Sequence, residues 1–151
     1  MLICVTMLIA SAVMLLTRHS VGWLFAIMGA ILAASLYSKH QRTQKELSKV
    51  HDFDSFCTQY DSAGTKLELL GLTITDEYAV VILPYLQIFP LNDMEKFEVG
   101  LQGDIRKVLF LTDKSGKRHK IAETQKGDAL QKEFDRAYEA VRAYFNNRQE
   151  A

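Results

Sequence analysis

Residues 2–16 carry no charged side chain, nor do residues 21–37, and only Thr17-Arg18-His19-Ser20 lies between them. A helix needs ~17–25 apolar residues to cross a bilayer, and these runs hold 15 and 17. A soluble helical hairpin would show a polar stripe every three to four residues. Leu8, Ile9, Val13, Met14 and Leu15, then Leu24, Phe25, Ile27, Met28 and Ile31, leave none. A cleaved signal peptide would open on basic residues. Met1-Leu2-Ile3 offers none, and a signal peptide would leave the second run unexplained. The expectation is a membrane-spanning helical hairpin over residues 1–38.

The cations give that hairpin a direction. Its turn holds Arg18 alone, whereas Lys39, Arg42, Lys45 and Lys49 follow the second run. The positive-inside rule then places both termini in the cytoplasm, and Trp23 and Tyr37 stand where interfacial aromatics sit. Small residues spaced by four (Ala26, Ala30 and Ala34; Gly29 and Ala33) allow close helix approach, to Ala10 and Ser11 of the hairpin or to a second copy. Neither run contains Asp, Glu, Lys, Arg or His, which argues against a proton or ion path.

A net charge of zero conceals an asymmetry. Residues 1–49 sum to +4 and residues 50–151 to −4. A mildly acidic C-terminal part argues against nucleic-acid binding, which needs a basic face. The two cysteines, Cys4 in the first run and Cys57 far beyond it, form no disulfide framework.

Beyond Tyr37 the chain lacks Gly and Pro up to Gly64. The second helix is expected to run on through a juxtamembrane segment, 39–63. Its apolar stripe would be Leu47, Val50, Phe53, Cys57 and Tyr60, and it would end near Asp61-Ser62-Ala63-Gly64. The period then changes. Strands are predicted at 66–74, 78–83, 86–89, 94–101, 107–112 and 118–122, with Pro84 and Pro90 as breaks and Asp113-Lys114-Ser115-Gly116 as a hairpin turn. Leu130, Phe134, Ala137, Tyr138, Val141, Tyr144 and Phe145 then recur at helical spacing, with Asp128 as N-cap and Gln131 three residues on. The fold class is α+β. The C-terminal helix is expected on a small antiparallel sheet or partly open barrel over residues 64–151.

The segments Leu72-Thr73-Ile74-Thr75-Asp76-Glu77-Tyr78-Ala79-Val80-Val81 and Phe89-Pro90-Leu91-Asn92-Asp93-Met94, the stretch 108–117 and the final helix together resemble the pleckstrin-homology-like fold. The likeness is to its small bacterial and GRAM-like versions. That resemblance implies binding rather than catalysis, with ligands from phosphoinositide headgroups to peptides and proteins, and a bacterial cytoplasmic membrane. Lipid-binding members carry cations in the first hairpin turn. Here Asp76-Glu77 is read as that turn and is acidic. Arg106, Lys107, Lys114, Lys117, Arg118, His119 and Lys120 gather instead around the later hairpin.

Chemistry is otherwise sparse. His19, His40, His51 and His119 are dispersed, without metal-ligand spacing. Asp52 and Asp54, two apart on a helix, diverge by roughly 200°. Cys57 lacks a basic neighbour and is expected to be buried as a small apolar residue. No P-loop, GxSxG or GxGxxG is present.

The expectation is a non-enzymatic interaction module without a cofactor, tethered to the membrane and binding a protein partner, a second copy or anionic lipid. The candidate contacts are Lys39, Arg42, Lys45, Lys49, Arg106, Lys107, Lys114, Lys117, Arg118 and Lys120. An immunity or accessory subunit of a membrane or secretion complex, and an enzyme with an unrecognised site in the sheet, are the alternatives.

Overall fold

The computed structural model describes residue 6 and residues 22–103, 105–125 and 127–150. The chain divides into two compact units, Met1–Lys45 and Glu46–Ala151. The first contains most of helix α1 (Gly22–Leu47). The first apolar run lies outside the described residues apart from Thr6, and so does the turn with Arg18. Among the described residues no helix is long and apolar enough to cross a membrane. The uncharged part of α1, residues 22–38, spans about 25 Å at 1.5 Å per residue, short of the ~30 Å hydrocarbon core.

The expected continuous juxtamembrane helix is broken. α1 ends at Leu47, and α2 (Phe53–Ser62) begins afresh after Asp52, whose carboxylate accepts from the Asp54 and Ser55 N–H groups at 3.1 and 3.2 Å. That N-cap resets the helical phase. Phe56, 8% exposed, therefore faces inward, whereas Phe53 and Cys57 are exposed. The burial expected for Cys57 is corrected, because Phe56 and Tyr60 set α2's inner face. Phe56 meets Tyr78 edge-on with centroids 5.3 Å apart, and Val80, Ile88, Leu47, Val50, Tyr60 and Leu86 complete the cluster.

Among the described residues seven strands form two antiparallel meanders, without a closed barrel. One sheet holds β1 (Thr65–Leu67), β2 (Leu72–Ile74), β3 (Tyr78–Val81) and β4 (Gln87–Pro90) in that order. The other holds β5 (Met94–Gln102), β6 (Arg106–Asp113) and β7 (Arg118–Gln125). The single strand expected over 66–74 is two strands joined by a tight turn. Gly71 takes φ +59° and donates its N–H to Glu68 O at 3.2 Å, a reversal a side chain would strain. All four residues of β3 are buried, because α2 covers one face of its sheet and the core the other. Pro90 ends edge strand β4. In the second sheet a bulge opposite Leu109 and Phe110 adds Ile121 to β7, so Ile121 and Ala122 are both buried.

Helix α3 (Gln131–Glu150) lays Phe134, Ala137, Val141 and Phe145 into the core with Leu72, Ile74, Leu109 and Leu111. Asp128 precedes it and accepts the Leu130 N–H at 3.4 Å. Gln131 bonds forward to Asp135 at 2.8 Å rather than back to Asp128, so the capping box is half made.

Candidate interaction surface

The candidate cations fall on both units. Lys39, Arg42 and Lys45 lie exposed along α1 in the first unit. Lys49 belongs to the second and is half-buried: its ammonium bonds the Glu46 carboxylate, donates to Ile88 O at 3.2 Å and stands 5.6 Å from the Phe89 ring centroid. Glu46 also accepts the Ile88 N–H at 2.8 Å. Together these side chains satisfy the outward backbone groups of Ile88, as a fifth strand would, and plug the β4 edge. Lys49 therefore has a part in the fold.

The later group splits as well. Register places Arg106 opposite Gln125 and Thr112 opposite Arg118, so Arg106 and Lys107 lie at one end of β6 and Lys114 and Lys117 near the other. Eight residues of strand separate these ends by roughly 25 Å. Carboxylates interleave with the cations: Arg106 and Lys120 both reach Glu123, at 3.2 and 2.8 Å, and Arg118 reaches Glu98 at 3.2 Å. Lys114 stands 3.9 Å from Asp93. Arg118 also covers the Phe110 ring at 4.4 Å. The Lys96 ammonium holds the Glu98 carboxyl below its usual range, and Lys120 does the same for Glu123. The expected first-turn comparison shifts too. Asp76-Glu77 joins β2 to β3, and the first turn is 68–71, which bears Glu68 and no cation.

Asp113 organises the β6–β7 turn. Its carboxylate accepts from the Ser115 hydroxyl and from the Ser115 and Lys117 N–H groups at 2.9 and 3.0 Å, and it pairs with His119 Nε2 at 2.8 Å. The Ser115 hydroxyl, then His119 and the backbone donors, hold its carboxyl well below the ordinary aspartate value. A depressed folded value adds stability above the unfolded value near 3.9, which is lost as pH falls below it. Replacing Asp113 with Ala is expected to flatten the acid limb of stability between pH 5 and 2, read from urea midpoints at each pH. An unchanged slope would place the acid sensitivity elsewhere.

An apolar surface of the second unit lies where the sequence predicts strand. The strand expected over 78–83 stops at Val81, so Ile82, Leu83 and Tyr85 lie exposed in the β3–β4 loop at 45, 59 and 53%. Leu83, Tyr85 and Leu69, the last 60% exposed, line a cleft of about 600 Å³ together with β7 from Arg118 to Glu123 and with Leu130. A second cleft, about 650 Å³, lies between α2 and α3 and is lined by polar and apolar groups alike. There the Tyr144 hydroxyl donates to Asn92 Oδ1 and Arg148 to Met94 O, both at 2.8 Å.

No family model matches the chain, and neither the curated proteins nor the solved structures yield a match. Function therefore rests on the chain's own residues. Among the described residues, no three His, Cys, Asp or Glu side chains converge as metal ligands. Asp52, the acidic residue nearest His51 in sequence, is occupied as a helix cap.

Proposed function

We propose that the chain is a membrane-anchored, non-enzymatic interaction module. Its N-terminal apolar hairpin holds a pleckstrin-homology-like domain at the cytoplasmic face, where the domain binds a protein partner or anionic lipid. The supporting observation is the surface of α1. Trp23, Leu24, Ile27, Met28, Ile31, Leu32, Leu36 and Tyr37 are each 40–65% exposed, and at 100° per residue they cover about three-quarters of the helix circumference. Water tolerates single exposed apolar residues but not a surface this continuous. Lipid does.

The shortness of α1's uncharged part is of the size that local thinning of the bilayer and snorkelling of flanking residues accommodate. Lys39 can extend its stem along the helix toward the headgroups. Lys39, Arg42 and Lys45 each add about 1 kcal/mol at an anionic surface. The pleckstrin-homology-like reading draws support from strand order, a four-strand and a three-strand meander followed by one helix over the core.

The test uses the full-length chain in its own membranes. Retention in the pellet after an alkaline carbonate wash, with the C-terminal unit shielded from protease added outside intact cells, is the expected result. Release by carbonate removes the anchor, and cleavage from outside reverses the orientation.

A further inference from the structure

We propose that β7 takes an extended acidic–apolar peptide from a partner protein as a fourth strand of the β5–β6–β7 sheet, seated in the cleft beside the β3–β4 loop. The inference rests on the reading of the chain as an interaction module and names how it holds its partner.

The backbone of β7 is open on that side. β7 pairs with β6 alone, and among the described residues no other backbone hydrogen bond involves residues 118–123. Folded chains usually blunt such edges. This chain does so at β4, where Glu46 and Lys49 occupy the outward groups of Ile88. At β7 the edge carries the bulge at Ile121, and its flank is a cleft of about 600 Å³, within the ~300–1,000 Å³ of ordinary ligand sites. Its length along residues 118–123 suits a strand of about five to six residues.

The walls specify the occupant. Side chains of an added strand alternate between two faces. On one they meet Leu69, Leu83, Tyr85 and Leu130. On the other lie Arg118 and Lys120, their side chains 51 and 54% exposed. Their pairs with Glu98 and Glu123 are surface ion pairs, weak and exchangeable, so a ligand carboxylate can compete for them. A basic or neutral strand gains nothing there, and a second copy would bring its own Arg118 and Lys120. An acidic strand complements the edge, and main-chain pairing with side-chain pockets is how sheet edges read peptides.

The cleft is preformed. Ile82 N–H donates to Gly71 O at 2.8 Å, and a Cβ at Gly71 would lie 2.9 Å from Leu83 Cγ. The β1–β2 turn thus backs the loop wall directly.

The experiment presents a random twelve-residue peptide library on phage to the full-length chain in detergent micelles, counter-selecting against a Leu83→Glu/Tyr85→Glu variant. Both positions are more than half exposed, so that variant should fold, and near-UV circular dichroism checks it. Enriched peptides should alternate apolar and acidic residues and slow amide exchange across 118–123. They should bind at least tenfold more weakly to the loop variant and to Arg118→Glu/Lys120→Glu. Peptides that bind both variants equally, or leave 118–123 unprotected, overturn the cleft while leaving an interaction module in place. Failure to enrich any peptide overturns peptide recognition altogether. Protection of 118–123 that rises with protein concentration and no peptide makes a second copy the occupant, which also overturns the proposal.

Discussion

Replacing Phe134 with Ala is expected to lower the unfolding free energy of the C-terminal unit by about 3–5 kcal/mol, the usual cost of deleting a buried aromatic. Phe134 is 2% exposed and stands at the start of the α3 stripe, in one cluster with Ala137, Val141 and Phe145. Collapse into the void is restrained. Glu133, its neighbour in the chain, accepts the Leu70 N–H at 3.1 Å and pins this end of α3 to the β1–β2 turn. A domain of this size has roughly 5–15 kcal/mol in total, so one substitution removes a large share. Urea unfolding followed by far-UV circular dichroism reads the change. Phe53→Ala is the internal control: that ring is 55% exposed, and surface changes of this kind stay within about 0.5 kcal/mol. Equal losses at the two positions would mean that α3 does not carry the core.

Those two phenylalanines also mark where sequence periodicity speaks and where it fails. Phe134 recurs with Ala137, Val141 and Phe145 over uninterrupted turns of helix, and burial follows the spacing. Phe53 fits a stripe only if the helix from Tyr37 to Tyr60 is continuous. No Gly or Pro marks the break at 48–52, which is made by a cap, Asp52, a residue equally at home on a helix surface. The strand at 66–74 misled for a related reason. Leu69-Leu70 continue the apolar run through what is a turn, and Gly71 is its sole signal.

The site was harder still to read. Arg106 and Lys114 fall within one short stretch of sequence, but an eight-residue strand carries Arg106 away from the β6–β7 turn, and Glu98 and Glu123 divide the remaining charge. Lys49 belongs by composition to a basic run. Only the fold shows that Ile88 has backbone groups for it to satisfy. The apolar residues around Pro84 looked like the end of a strand because burial and binding call for the same residue types.

The anchor yields the second large effect. Ile27 and Ile31 are one turn apart on α1 and 54 and 64% exposed. An aspartate at the centre of a spanning helix costs about 2.5–3.5 kcal/mol. The double substitution Ile27→Asp/Ile31→Asp therefore opposes insertion by roughly 5–7 kcal/mol on that scale. Most of the variant should move from pellet to supernatant in the carbonate wash. The triple change Lys39→Ala/Arg42→Ala/Lys45→Ala removes only surface attraction, about 1 kcal/mol per cation, and should leave it in the pellet. Ile27 and Ile31 lie in the first compact unit. The urea midpoint of the second should therefore stay at the wild-type value in both variants, which separates lost anchoring from lost folding. If the aspartate variant stays membrane-bound while the cation variant washes free, the association is electrostatic and peripheral, and α1 lies on the bilayer rather than within it.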